Sequence, residues 1–530
     1  MAGLFENFPY TNFQRLNLDW ILQVVKSMEP VPAELDELRH YIEEHFPEEV
    51  QAAFDQAVQD GTLAQILAEE LIFVTPQMYG AKGDGVTDDT DAIQQAIDSG
   101  NPVIFPKASY LVHAINAYDS AIAVKTGSFI IFQDATIVLA ATATPTYEIL
   151  NISDATDVTI IGNATIRGDR DIHMGSTGEH GMGLNIWQSE RVYVEGFYIE
   201  KCWGDGVYIN KSRDVVVRNV QATNNRRNNV SIIAGENILL DKCETWNANG
   251  TNPQAGIGVE ANNTTDPLVN CVIRDCTSHD NVGASLYITC RANDSSVKVD
   301  GGVFDSRPGS TFITGSGVIE YEGCKINCGT AEIFSVDNVP EGSFVKFTDC
   351  ELYGGSSIIR HAGGSGSVLK GFIVKNCISY NANLSRLGTW LTYGNGSVVN
   401  NIIDMTMINP TVSSYTSRIF LDPGNTTNIH TPNGFTITGT NIPAALSDEI
   451  RLDPSSADQN MIRATDVYGF PENCDVIIQN ISGTYRAVVV STGGNFHYSD
   501  GTNSNYFNIN AGDARRVRRI GTTLYAGPVC

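Results

Sequence analysis

A chain of 530 residues with a formal net charge of −26 is a poor candidate for nucleic-acid binding, which needs a basic surface to displace counterions from phosphates. It contains no run of about 18 apolar residues, so no membrane insertion is expected, and no basic-then-apolar leader is expected either. Its 49 glycines among short β-branched runs fit an all-β chain with frequent turns, and its odd number of cysteines, 11, fits reduced thiols of a protein assembled in a cytoplasm better than a disulfide framework.

Residues 1–75 have a helical character. Leu18, Ile21, Leu22 and Val25 sit at helical spacing behind a candidate cap, Asn17. Leu35, Leu38, Ile42 and Phe46 predict a second helix, Leu63, Ile66, Leu67 and Leu71 a third, with Pro30, Pro32 and Pro47 as separators. Apolar stripes this narrow cannot form a core alone, so the segment is expected to pack against other chains. The run YGAKGDGVTDDTDAIQQAID (79–98) follows. Asp88 and Asp89 are placed to cap a helix over 91–97 that closes one end of what comes next.

Two columns of repeats then organise residues 76–408. GLNIW (183), GVYIN (206), NVSII (229), GIGVE (256) and SLYIT (285) each carry aliphatics at their second and fourth positions, the alternation of a strand with one buried face. Between them run VTIIGN (158), VYVEGF (192), VVVRNV (215), ILLDKC (238), CVIRDC (271), VKVDGG (297), IEYEGC (319), VKFTDC (345) and FIVKNC (372). Their fifth residues, mostly Gly, Asn or Asp, suit a positive-φ corner. Cys243, Cys276, Cys324, Cys350 and Cys377 at the sixth position read as small buried hydrophobes. A strand recurring in this way predicts a right-handed parallel β-helix, a solenoid whose coils bury their aliphatics against one another. Residues 409–530 turn dense in Asn, Thr, Gly and Pro, with short strands such as DVIIQNI and YRAVVVST, the pattern of a β-sandwich-like C-terminal module. The basic run Arg515, Arg516, Arg518 and Arg519 reads as a solvated strand face.

The opening NFPYTNFQRLNLDWIL (7–22) resembles the anchoring segment of tail proteins from phages of gut bacteria. The run 79–98 resembles the lead-in motif of the pectate-lyase-like β-helix superfamily, common in phage tailspikes. The resemblance implies a virion protein, a homotrimer, docking of residues 1–75 on a phage tail or baseplate protein, and a C-terminal module that holds three chains together or touches the receptor. It also implies a bacterial surface polysaccharide as partner.

Candidate chemistry gathers at one corner. The insertion RGDRDIHMGSTGEHGM (167–182) brings Asp169, Asp171, His173, Glu179 and His180; CWGDG brings Trp203 and Asp205; NNRRN brings Arg226 and Arg227. Carboxylates with an imidazole and guanidinium groups are what glycosidic cleavage requires, an acid for the leaving oxygen and a carboxylate to activate water or attack the sugar. The assignment is Asp205 as base, kept ionised by the neighbouring arginines, and Glu179 as acid, desolvated by Met182 and Trp203. His180 would position or share the proton, and Arg227 would grip an acidic sugar. Asp171, His173, Arg226, Trp203, Trp187, Tyr208, Tyr287 and Asn210 are candidate sugar contacts. Glu260, on the far side of the strand with Asn210 and Trp187, is expected on the order of 19 Å from Asp205, at about 3.3 Å per residue and about 4.8 Å per coil. It is the alternative centre.

The GDG of the second coil resembles the double-Asp coil of polygalacturonase-like hydrolases, but Gly206 stands where they have the other acid. Relatives with a similar coil carry an acid at Gly258 and Pro at Ala261. No metal or cofactor is expected; calcium enters only if the enzyme is a lyase, with Arg227 as its base. Two readings follow: a tailspike-like depolymerase, hydrolase before lyase, or a non-catalytic receptor-binding fibre.

Overall fold

The computed structural model describes residues 73–114 and 119–305, apart from 262 and 293, then shorter pieces of 310–381 and separate strands as far as Pro528. The three predicted N-terminal helices lie outside the described residues. From Val103 onward the chain coils into a right-handed parallel β-solenoid with three strands per turn.

One face stacks Ile160, Val194, Val217, Leu240, Ile273, Val299, Tyr321 and Phe347 in register, coil upon coil. A second stacks Ile137, Ile166, Ile199, Ala222, Thr245 and Ser278. The third pairs Leu184 with Val207, Val230, Ile257 and Leu286, and Ile186 with Ile209, Ile232, Val259 and Ile288, the register that the GLNIW-type repeats predict. Val207, Ile209, Val230, Ile232, Ile257 and Val259 are all fully buried. Each such side chain stabilises the coil by about 1.5–3 kcal/mol relative to exposure.

The corner after the first face is built as the sequence implies. Gly162, Gly196, Asn219, Lys242, Asp275, Gly301, Gly323, Asp349 and Asn376 all have positive φ. Lys242 accepts the strained conformation because the ladder on both sides leaves it no other. One step later the cysteine thiols are buried and free, and each donates to the carbonyl two residues back, as from Cys276 to Arg274 at 3.3 Å and from Cys350 to Thr348 at 3.3 Å.

A single described helix, α1 (Thr90–Asp98), caps the first coils with Ala92, Ile93, Ala96 and Ile97 buried. Its N-terminus departs from expectation. Asp89 makes no side-chain cap; its carboxylate accepts from the backbone N–H of Lys82 at 2.6 Å and of Gly83 at 3.0 Å, closing the preceding loop. Asp88 accepts from Thr90 N–H at 3.0 Å instead.

Parallel pairing of the solenoid sheet continues to Thr426–His430. Beyond it strands also pair antiparallel, Asp475–Asn480 with Ala514–Ile520 and Ala514–Ile520 with Thr523–Pro528.

Candidate functional site

Most of the loops that interrupt the repeat among the described residues leave from the corner between the second and third faces. Lys201, Asn224, Asn247 and Asp280 begin four of them in positive φ. Beneath the loops runs a buried amide network. Asn225 accepts from Cys202 N–H at 2.9 Å and donates to Asn229 at 2.9 Å; Asn229 donates to Asn281 at 3.1 Å; Asn281 accepts from Ala248 N–H at 2.9 Å. Buried amides bonded on both sides hold successive corners in one register.

On this frame Arg227 reaches into a ring of carboxylates. Its Nη1 donates to Asp205 Oδ2 at 2.9 Å, its Nη2 meets both Glu260 oxygens at 3.5 Å, and its Nε lies 3.7 Å from Glu179 Oε2. Asp205 is wholly buried, with Asn228 N–H donating to Oδ1 at 2.9 Å and the Ser231 hydroxyl to Oδ2 at 2.7 Å. Asn228 extends the network: its side-chain N–H groups face Ser231 Oγ at 3.0 Å, Glu260 Oε1 at 3.4 Å and Tyr287 Oη at 3.4 Å.

Three expectations change here. Asp205 and Glu260 are not two distant centres, because they bind the two terminal nitrogens of one guanidinium. A flat-wall distance along strand and coil omits the reach of an arginine standing between them. Nor does the guanidinium hold Asp205 below the usual carboxylate range: burial pushes it up, and Arg227, Asn228 N–H and Ser231 only partly offset this. Glu179, in turn, is not desolvated, its side chain being 53% exposed. For Arg227 burial pulls the guanidinium down, but Asp205, Glu260 and Glu179 outweigh it and hold it above its ordinary value. It therefore serves poorly as a base.

The insertion is tied down by the residues proposed to contact sugar. The His173 ring stacks on Trp203 with centroids 3.9 Å apart, and Arg226 lies 3.9 Å over the same indole. His173 Nδ1 pairs with buried Asp169 at 2.7 Å, which also accepts from Tyr147 Oη at 2.5 Å. Trp203 Nε1 donates to Thr177 O at 3.1 Å and Arg226 to Gly178 O at 2.6 Å. Trp203, His173 and Arg226 thus anchor the loop and do not offer open platforms. Asp171 pairs with Lys201 at 2.6 Å. His180 is exposed, starts the strand His180–Trp187, and makes none of the described bonds to Asp205, Arg227 or Glu260.

Tyr208 and Tyr287, by contrast, are half-buried on the outer side of the third face beside the ring of carboxylates. Burial, then Asp205, pushes the Tyr208 phenol up to about 12. Its hydroxyl accepts from Asn210 at 3.2 Å, and its ring stacks with Trp187 at 6.3 Å. Two glycines shape this wall. A Cβ on Gly206 would meet Asn225 Nδ2 at 2.5 Å and Asn229 O at 2.6 Å, so the second acid of a double-Asp coil has no room. A Cβ on Gly258 would meet the Tyr287 hydroxyl at 2.7 Å, since that ring lies across the position where similar coils carry an acid. Neither Asn228 nor Ser231 stood out in the sequence; the only signal was their place in the NNRRNNVSI run directly above GDG.

Residues 112–326 match the family described as right handed beta helix region. The pre-neck appendage protein of Bacillus phage B103 is 23% identical over 343 residues, covering 56% of this chain and 39% of that protein. Depolymerase 1, capsule KN3-specific, of Klebsiella phage KN3-1 is 53% identical over 38 residues, 7% of this chain and 5% of that protein. The chain thus spans well under half the length of either. Among solved structures, the A-module of mannuronan C-5 epimerase AlgE4 from Azotobacter vinelandii aligns with a TM-score of 0.46 and 16% identity over 72% of this chain and 94% of that one. The chain thus carries a right-handed parallel β-helix, and phage pre-neck appendage proteins are among its relatives.

Proposed function

We propose that this protein is a tailspike-like phage appendage that binds a bacterial surface polysaccharide along the third face and cleaves it by hydrolysis at the Arg227 corner. The observation that carries the reading is the meeting of Glu260, Asp205 and Glu179 on one guanidinium beside Tyr208 and Tyr287. Along that register row the half-buried Asn151, Tyr208 and Tyr287 face outward, groups that suit hydroxyl-rich chains.

Roles within the ring follow from access. Asp205 has no lone pair open to a substrate, so it is a positioning residue that aims Arg227. Glu260 is the carboxylate nearer the wall and Glu179 the solvent-facing one, so the acid and base are these two, with Arg227 between them stabilising the charge that develops. Elimination with Arg227 as base is disfavoured by the three carboxylates that keep it protonated. Relatives that are phage pre-neck appendage proteins support a virion component; residues 1–75 as the docking segment and a trimer as the working unit complete the proposal.

The test is an assay of host capsule or exopolysaccharide for new reducing ends, with absorbance of an unsaturated uronate followed in parallel. Glu260→Gln and Glu179→Gln should abolish or sharply reduce turnover while binding survives. The second reading, a non-catalytic receptor-binding fibre, draws on the saturation of Arg227 by its carboxylates; it takes over if binding is strong and no bond is ever cut.

A further inference from the structure

The corner around Arg227 is lopsided in its hydrogen-bonding chemistry. Among the described residues, the four cations nearest it are all engaged. Arg227 faces three carboxylates, and Arg226 donates to Gly178 O at 2.6 Å while lying over Trp203. Arg170 donates to Asn224 O at 2.6 Å and Asn249 Oδ1 at 2.5 Å, and Lys201 meets Asp171 at 2.6 Å. Arg227 Nε, 3.7 Å from Glu179, is a buried donor without a hydrogen bond, but the rest of what the wall offers are acceptors. The Glu179 carboxylate is half exposed. More telling is Asn210, only 6% exposed, whose Oδ1 has no hydrogen-bond partner while its Nδ2 is fixed on Tyr208 Oη at 3.2 Å. A buried acceptor oriented by its own amide and left without a donor calls for one from outside.

We infer that the sugar unit seated on this wall is non-anionic and donates hydrogen bonds, a neutral or amino sugar, in place of the acidic sugar that the arginine pair first suggests. The inference rests on the glycan-binding reading above and narrows its substrate. A uronate, sulfate or phosphate group here would face Glu179 and Glu260, with Arg227 already shared among three carboxylates. A hydroxyl or ammonium group would satisfy Asn210 Oδ1 and meet the carboxylates as a donor.

The experiment uses the full chain and immobilised bacterial exopolysaccharides of known composition, with and without uronic acid. Each acidic polymer is tested again after carboxyl reduction, which converts uronates to neutral sugars. The expected result is retention on neutral or amino-sugar polymers and equal or tighter binding after reduction. On neutral polymers affinity should change by less than about threefold between about 0.05 and about 0.5 M NaCl, because no charge attraction is being screened, whereas on polymers with free ammonium groups it should fall. Asn210→Leu should weaken binding about tenfold through loss of the acceptor, while unaltered binding by a folded Asn210→Leu would overturn its part. Binding present before carboxyl reduction and lost after it overturns the inference and leaves the glycan reading standing. Retention on no polymer, native or reduced, overturns both.

Discussion

On the first face Asp241 lies between two arginines, Arg218 at 2.7 Å and Arg274 at 2.8 Å; at the loop corner Arg227 lies among three carboxylates. Neither Asp241 nor Asp205 has exposed surface, yet they shift in opposite directions. Burial raises both, and Asp205 lies the deeper of the two. For Asp241 the hydrogen bonds from Arg274 and Arg218 overcome it and hold the carboxyl below its ordinary value; for Asp205 the single guanidinium does not. Deeper burial and one shared arginine leave Asp205 raised, where shallower burial and two arginines leave Asp241 lowered. Glu195, Arg218, Asp241, Arg274 and Asp300 also alternate in sign from coil to coil, so that ladder is matched within itself. The corner is not, and an unmatched cluster beside an open wall is where chemistry on a ligand is to be sought.

Four experiments test this contrast. The largest expected effect is on turnover: Glu260→Gln should lower kcat by about 10²–10⁴, with glycan binding retained, whereas loss at the matched ladder should leave kcat unchanged. Second, Asp241→Asn should cost about 1.5–3 kcal/mol in denaturant unfolding by removing the charged acceptor that the two arginines share. Its pH behaviour has a definite sign. Because the folded-state value lies below the ordinary 3.8, the stability it provides is complete above that value and is lost as pH falls through the folded one. The parent chain should therefore lose stability in that acid window more steeply than Asp241→Asn. Third, Gly206→Ala, which forces a methyl against Asn225 and Asn229, should cost about 1–3 kcal/mol in thermal unfolding; an unaltered Tm would show that the amide network yields easily. Smallest is Glu179→Gln, whose exposed pairing should change stability by less than about 1 kcal/mol while reducing turnover. A large loss of stability there would mean that Glu179 braces the ring and does not serve as its acid.

Much of this molecule was legible before its coordinates. The strand register on the third face follows the repeats residue for residue, because alternation of aliphatics leaves a coil only one way to bury them. The corner column was legible because positive φ selects Gly, Asn and Asp. What stayed hidden was the direction of long side chains. Nothing in the string tells that Arg227 spans from Asp205 to Glu260, or that Trp203 lies between the demands of His173 and Arg226 and is lost as a platform. The sequence offers Asp205 as an ionised base; its burial depends on Asn228 and Ser231 of the coil above, a contact unmarked by any motif.

The column of thiols provides a way to time the opening of individual coils. Cys243, Cys276, Cys324, Cys350 and Cys377 each sit in a different coil, all buried and free. Burial pushes Cys243 well up, and the hydrogen bond with Cys324, together with burial and against the lowering contact with Cys377, pushes Cys350 up to about 12. A thiol so placed does not react with an alkylating reagent until its coil opens. In a solenoid, where each turn contacts only its neighbours, opening is local and can spread along the axis. Mass-resolved alkylation of the native chain would therefore give a separate clock for each coil, and the order in which the clocks run out would reveal from which end the stack frays.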